Sequence, residues 1–367
     1  MSWGRRMLAV AGIETRRLLR SRIAFTLLVL VPAMQVLLFG YAIRPGGGAV
    51  AVAIAAAVPS DAAAVARQLG DKPGLQVVSG SLRPGEAAKA VRDHRALIGI
   101  EIPARPSLAD PTAGVRPVRV VVDASNAVLT ASAIPVIEAA YWQALAERGD
   151  VADTGPGYRI ERLYNPDART DWTFLPALIG VTVMISMMML GTLSLARERE
   201  AGTWEVLLVL PIGATALLAG KLLPYVAMGS VQGALVLMTA VELFDLPARG
   251  AVVALLALLP LFAAAHLVLG YAIAARAVTQ LAALQGAVAF YLPAMLLSGF
   301  LYPFETLPNW ARLVGEAFPL THFIRAARGV LLRGDDAVAV AVHAVPIMVF
   351  LGVALSGALA LQTRRID

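Results

Sequence analysis

Six stretches of the chain carry almost no charge and are long enough to read as membrane-crossing helices: residues 24–43, 173–196, 222–241, 251–275, 281–301 and 339–361. A helix needs about 20 mostly apolar residues to cross the hydrocarbon core of a bilayer. Between the first run and the second, the pattern changes. Residues 49–58, 75–79, 96–102 and 118–123 read as strands. Helical stretches are expected at 60–69, with Ser60 as N-cap, at 85–94 and, longer, at 125–148. The predicted fold is an all-α transmembrane domain of about six helices with an inserted α/β extracytoplasmic domain. The expected divisions are 1–43 (an interfacial helix and the first span), 44–171 (the inserted domain) and 172–367 (five spans).

Composition agrees with lipid as the main solvent: of 367 residues, 58% are hydrophobic and 15% charged, where a soluble domain has about a quarter charged. The net charge of +6 matters less than its placement. Arg5, Arg6, Arg16, Arg17, Arg20 and Arg22 precede the first run, and Arg364 and Arg365 follow the last. Basic residues flanking spans mark the cytoplasmic side, so both termini are expected inside and 44–171 outside, with no role for nucleic acid. The N-terminal apolar run is too long for a signal-peptide core and reads as a retained span. The segment 302–338 carries Arg312, Arg325, Arg328 and Arg333 on the outer side, and its prolines point to an outer helical hairpin at the interface. The absence of cysteine excludes disulfides and thiolate chemistry, and the four histidines show no metal-ligand spacing. A phosphate-binding loop needs G-x-x-x-x-G-K-[ST]. Gly213 to Gly220-Lys221 has six residues between its glycines and a leucine after the lysine. ATP, if it drives this protein, is expected on a partner.

The loop after the second run reads Arg197-Glu198-Arg199-Glu200-Ala201-Gly202-Thr203-Trp204-Glu205, followed by apolar residues to Pro211. A span ends in alternating charge, Gly202 breaks the helix, Thr203 caps a new one, and Glu205 sits in its first turn, where negative charge suits the helix dipole. This predicts a short amphipathic helix along the cytoplasmic surface, either a plain interfacial helix or a docking element. The stretch resembles the charged loop and coupling helix of type-2 ABC transporter permeases, R-E-x-E-x-G-T-x-E. Other stretches are similar to the same family in the same order. They are 17–22 running into the first span, 98–103 with 118–126, Tyr164-Asn165-Pro166, and 297–303 with Pro308, Trp310, 319–321 and 325–329. The large insertion is similar to the bacterial drug-exporter branch. The resemblance implies a coupling helix at 198–212 that seats in a separate ATPase subunit through Glu198, Glu200, Gly202, Thr203 and Glu205. An N-terminal helix with Arg17 and Arg20 would share that contact. It further implies ATP and magnesium on the ATPase, a second permease subunit, identical or related, a periplasmic adaptor docking outside, and export of amphiphilic small molecules across the bacterial inner membrane.

Polar groups inside the spans are few. His266 and His343 lie within runs, and Gln35, Gln232 and Gln285 are placed to bond across helices. Met184, Met187, Met188 and Met189 form either an adaptable apolar surface or ordinary packing. Ser186, Gly191 and Thr192 leave room for close helix approach. Met184, Met187, Met188, Gln232 and His266 are candidates for a translocation path. No series of carboxylates crosses the bilayer as a proton-driven carrier would need, and no catalytic constellation appears, so the chain reads as a transport subunit rather than an enzyme. The alternative is a membrane sensor with an external ligand-binding domain.

Overall fold

The computed structural model describes residues 2–42, 50–70, 75–103, 118–123, 125, 134, 137, 158–166, 169–202 and 213–363. The chain divides into two compact units, one made of Met1–Ile43 with Phe174–Asp367, the other of Arg44–Thr173. The first begins with α1 (Trp3–Arg20), which buries Val10, Ala11, Glu14 and Leu18 at helical spacing and leaves Leu8, Ile13 and Leu19 exposed. The chain bends at Ser21, whose side chain accepts from the Ala24 amide at 3.3 Å. It then continues through α2 (Arg22–Phe25), a π-helical turn (Thr26–Leu30) and α3 (Val31–Ala42). Pro32 has no N–H to return to the turn before it, which accounts for the irregularity there. The carbonyl of Leu27 instead accepts from Ser186 at 2.8 Å and Gln232 at 3.2 Å.

The second unit is a five-stranded sheet in the order β2-β1-β3-β4-β5. Its elements are β1 (Val50–Ala56), α4 (Pro59–Gly70), β2 (Leu75–Leu82), α5 (Glu86–Arg92), β3 (Ile98–Ile102), β4 (Val118–Asp123) and β5 (Tyr158–Leu163). β1 pairs parallel with β2 and β3, β3 antiparallel with β4, and β4 parallel with β5. Parallel neighbours need a crossover, supplied by α4 between β1 and β2 and by α5 between β2 and β3. Alternation sorts the faces: Val50, Val52 and Ile54 pack toward α4 with Leu69, while Ala53 and Ala55 pack toward α5. A Cβ on Gly99 would lie 2.6 Å from the Ala87 carbonyl, so glycine lets α5 sit on the sheet. The helix expected from Ser60 starts at Pro59, since proline suits the first helical position. β5 was not anticipated, and the helix expected at 125–148 lies outside the described residues apart from 125, 134 and 137.

Among the described residues, five helices of the first unit are long and apolar enough to cross a membrane. They are α6 (Thr170–Glu200), α7 (Ala214–Phe244), α8 (Val252–Ala274), α9 (Gln280–Leu297) and, after the hairpin, α12 (Ala337–Thr363), and each holds one interior proline. The remaining expected span is helical from Arg22 to Ala42 in the three pieces given above. α6 is the most enclosed, with 89% of its apolar window buried against 17% for α9 and α12. Between α9 and α12 the chain forms α10 (Asn309–Gly315) and α11 (Pro319–Arg328), then a π-turn (Gly329–Arg333). α11 is buried along most of its length, with Phe323 stacked on Phe262 of α8 at 4.5 Å. Trp310 and Leu313 of α10 are exposed.

Candidate functional site

The charged end of α6 ties helices together. Its last turn carries Glu198, Arg199 and Glu200, and side chains one position apart on a helix point about 100° away from each other. Each therefore meets a different neighbour. Glu198 is ion-paired with Lys221 of α7, and it accepts from Arg17 of α1 at 3.1 Å. Lys221 also donates to Glu14 of α1 at 3.0 Å, and the Tyr225 hydroxyl reaches the other oxygen of Glu14 at 3.3 Å. Lys221 is 2% exposed and the two glutamates 5%, so this is a buried charge cluster. Such a cluster persists only where each charge is paired with an opposite one and hydrogen-bonded.

Arg199 turns the other way and donates to the carbonyls of Ala274, at 3.2 Å, and Ala275, where α8 ends. The last carbonyls of a helix lack intrahelical donors and carry partial negative charge. Glu200 accepts from the Gln280 amide at 2.5 Å and from its side chain, at the start of α9, where unpaired N–H groups favour an anion. Thr279 caps the same end by accepting from the Ala282 amide at 3.1 Å. Three consecutive residues thus hold α1, α7, α8 and α9 at one end of the helical unit. Gly202, at φ +69°, then stops α6 in the left-handed conformation that glycine adopts without cost.

Among the docking candidates, Glu198 and Glu200 are engaged inside the chain, Gly202 is exposed, Arg17 is half-exposed and bonded to Glu198, and Arg20 is exposed in the last turn of α1. Thr203 and Glu205 lie outside the described residues, as does most of the 198–212 segment. Met184, Met187, Met188, Gln232 and His266 are all buried in the helical unit. A Cβ on Gly229 would come within 2.5 Å of the Met187 sulfur, so that side chain fills a glycine notch on α7. Gln232 bonds to Ser186 at 2.8 Å, and Gln35 accepts from Thr182 at 2.9 Å, both across helices. His266 bonds within its own helix, to the Phe262 carbonyl at 3.0 Å. The close approach expected around Gly191 is made to α8 of the same chain: a Cβ there would lie 2.2 Å from the Leu267 carbonyl.

Glu14, Lys221, Tyr225 and Arg199 were not among the expected site residues. The signal was present: Glu14 is the lone acid among the first 22 residues, and Lys221 is the lone lysine outside 44–171. Gly220, read only as part of a failed phosphate loop, allows α1 to pack on α7, since a Cβ there would sit 2.6 Å from the Met7 carbonyl.

Among the described residues, five long apolar helices and an end-face of interlocked charges define a multi-pass membrane protein whose helices are joined through the last turn of α6. Residues 22–361 match the model of the ABC-2 family transporter proteins, and the chain belongs to that family. It is 28% identical over 253 residues to the probable multidrug ABC transporter permease YbhR of Escherichia coli (strain K12), covering 68% of each chain. It is 27% identical over 354 residues to the probable multidrug ABC transporter permease YbhS of the same strain, covering 94% of this chain and 92% of the relative. Identity to the inner membrane transport permease YhhJ, also from that strain, is 30% over 175 residues, 47% of this chain and 46% of the relative.

Proposed function

We propose that this chain is the permease subunit of an ATP-driven exporter that moves amphiphilic small molecules out of the cytoplasm or the inner leaflet of the bacterial inner membrane. ATP and magnesium are held on a separate ATPase polypeptide. A second permease subunit, identical or related, completes the membrane part, with both termini cytoplasmic. Residues 44–171 face outward, where they receive substrate or dock a periplasmic adaptor.

The observation that carries this reading is the placement of Glu198, Arg199 and Glu200. They stand at the start of the segment 198–212, which resembles a coupling helix, and they bind α1, α7, α8 and α9. A push delivered to that segment by closure of an ATPase reaches four helices at once. Packed helices switch between discrete arrangements rather than deforming smoothly, so a push of this kind can change which side of the membrane is open. Thr203, Glu205 and Arg20 make the contact with the ATPase, while Arg17, Glu198 and Glu200 hold the coupling segment to the spans. Met184, Met187, Met188, Gln232 and His266, buried here, line the path that opens when α6 moves.

The test is affinity co-purification of the tagged chain in mild detergent, comparing wild type with Glu205→Arg. An ATPase subunit is expected with wild type and not with the variant. Equal recovery with both removes the docking role of Glu205. No ATPase with intact, folded wild type removes the transporter reading and favours a sensor.

A further inference from the structure

Beside the buried charge cluster, a small open cleft lies between the end of α1, the start of α2, the last turns of α6 and Tyr225 of α7. Its rim carries Arg17, Arg197 and Ser21, its floor is Leu190 and Leu193, and the buried Tyr225 also lines it. The charge here does not balance. Glu14 and Glu198 are already taken by Lys221 and Arg17, and Arg197 has no ion-pair partner among the described residues. Arg17 spends one N–H on Glu198 and a guanidinium has five. One positive charge and several donors therefore face an opening floored by leucine.

The neighbouring surface has the matching character. On α1 and just beyond it, Leu8, Ile13, Leu19 and Phe25 are 61–70% exposed, with Arg16 and Arg20 exposed among them. An amphipathic helix that leaves large apolar groups and arginines exposed together lies in the bilayer interface, at the depth of phosphate groups. We propose that this cleft binds the phosphate of an anionic phospholipid, with Arg197 and Arg17 on the phosphate, Ser21 within reach of the glycerol region, and one acyl chain passing over Leu193. The bound lipid joins α1 to α6 next to the residues that hold the coupling segment, so its presence stiffens that joint.

The test uses the full-length chain in detergent, with native mass spectrometry after adding equal amounts of phosphatidylglycerol and phosphatidylcholine. Wild type is expected to retain phosphatidylglycerol preferentially. Arg197→Gln should lose roughly fivefold of that retention, the scale of one basic residue near an anionic surface. Arg197→Lys should keep most of it, and Arg16→Gln, outside the cleft, all of it. Leu193→Trp fills the floor without changing charge and should also release the lipid, which separates binding in the cleft from general attraction to positive charge. Inorganic phosphate at millimolar concentration, read by the thermal unfolding midpoint, is expected to have no Arg197-dependent effect. Undiminished retention by folded Arg197→Gln and Leu193→Trp overturns the proposal. So does an Arg197-dependent stabilisation by free phosphate without retained lipid, which would make the occupant a soluble anion.

Discussion

At position 221 a lysine ammonium is held between two carboxylates with almost no access to water. Taking three charges out of water is costly, and the cost is offset in part by Arg17, which adds a donor to Glu198, and Tyr225, which adds one to Glu14. Removing one member leaves a buried charge unmatched, which costs about 3–5 kcal/mol. Lys221→Met is therefore expected to lower the unfolding midpoint in detergent strongly, and adding Glu14→Gln should recover part of the loss. A double variant no better than the single one would show that the lysine acts by packing alone. In the hairpin, burial works to raise the pKa of Glu316. The Arg325 guanidinium, bonded to it at 2.6 and 2.9 Å, with His322 and His343 nearby, outweighs that and holds the carboxyl below its ordinary value. A depressed folded-state pKa contributes stability above the unfolded value, and that contribution is lost as pH falls through the folded one. The stability gap between wild type and Glu316→Gln is thus expected to be constant near neutrality and to close in acid. A gap that persists in acid would mean the pair contributes little. The pairings of the buried cluster were not legible in advance, because Glu14 and Lys221 are separated by 207 positions and Arg17 and Glu198 by 181.

Helix against helix, the spans pack through absences. Gly191 of α6 faces Leu267 of α8, and Gly270 of α8 faces Met188 of α6, each so close that a Cβ would lie 2.2–2.3 Å from a backbone carbonyl oxygen. Lipid gives two apolar helices no hydrophobic reason to associate, so close backbone contact and bonds such as Thr192 to the Gly270 carbonyl, at 3.3 Å, do that work. Gly191→Leu cannot be relieved by moving a side chain. It is expected to cost about 1–3 kcal/mol or more, seen as lower yield and unfolding midpoint. Gly352→Leu on α12, where nothing lies within 4 Å, should be nearly neutral. Equal effects from the two would remove the packing argument. The small residues around Gly191 were visible in the sequence as a place for close approach, while the identity of the facing helix was not, since every span is apolar enough to be a partner.

Across the whole molecule, the two units have separate cores: the sheet buries Val52, Ile54, Leu69, Ile98 and Ile100 among its own elements, and the helical unit closes around α6. Residues 44–173 expressed alone, without the spans, are expected to be soluble and to unfold cooperatively. A chain that remains unfolded would show that the sheet depends on the helices that flank it. The sequence by itself determined where the chain is apolar, where strands alternate and where helices stop, because these are local matters of side-chain polarity, period and backbone freedom. Thus β4 falls at 118–123 as anticipated, and Gly202 ends α6. β5 escaped notice because half of Tyr158–Leu163 is charged and its alternation breaks at the adjacent Glu161 and Arg162. Only the tertiary structure decided that the acidic and basic residues in the last turn of α6 reach four other helices, and that a glycine and a lysine resembling a broken nucleotide motif serve to seat α1. Charge pairing and close packing are properties of distance in space, and the chain brings those positions together only once the spans have assembled.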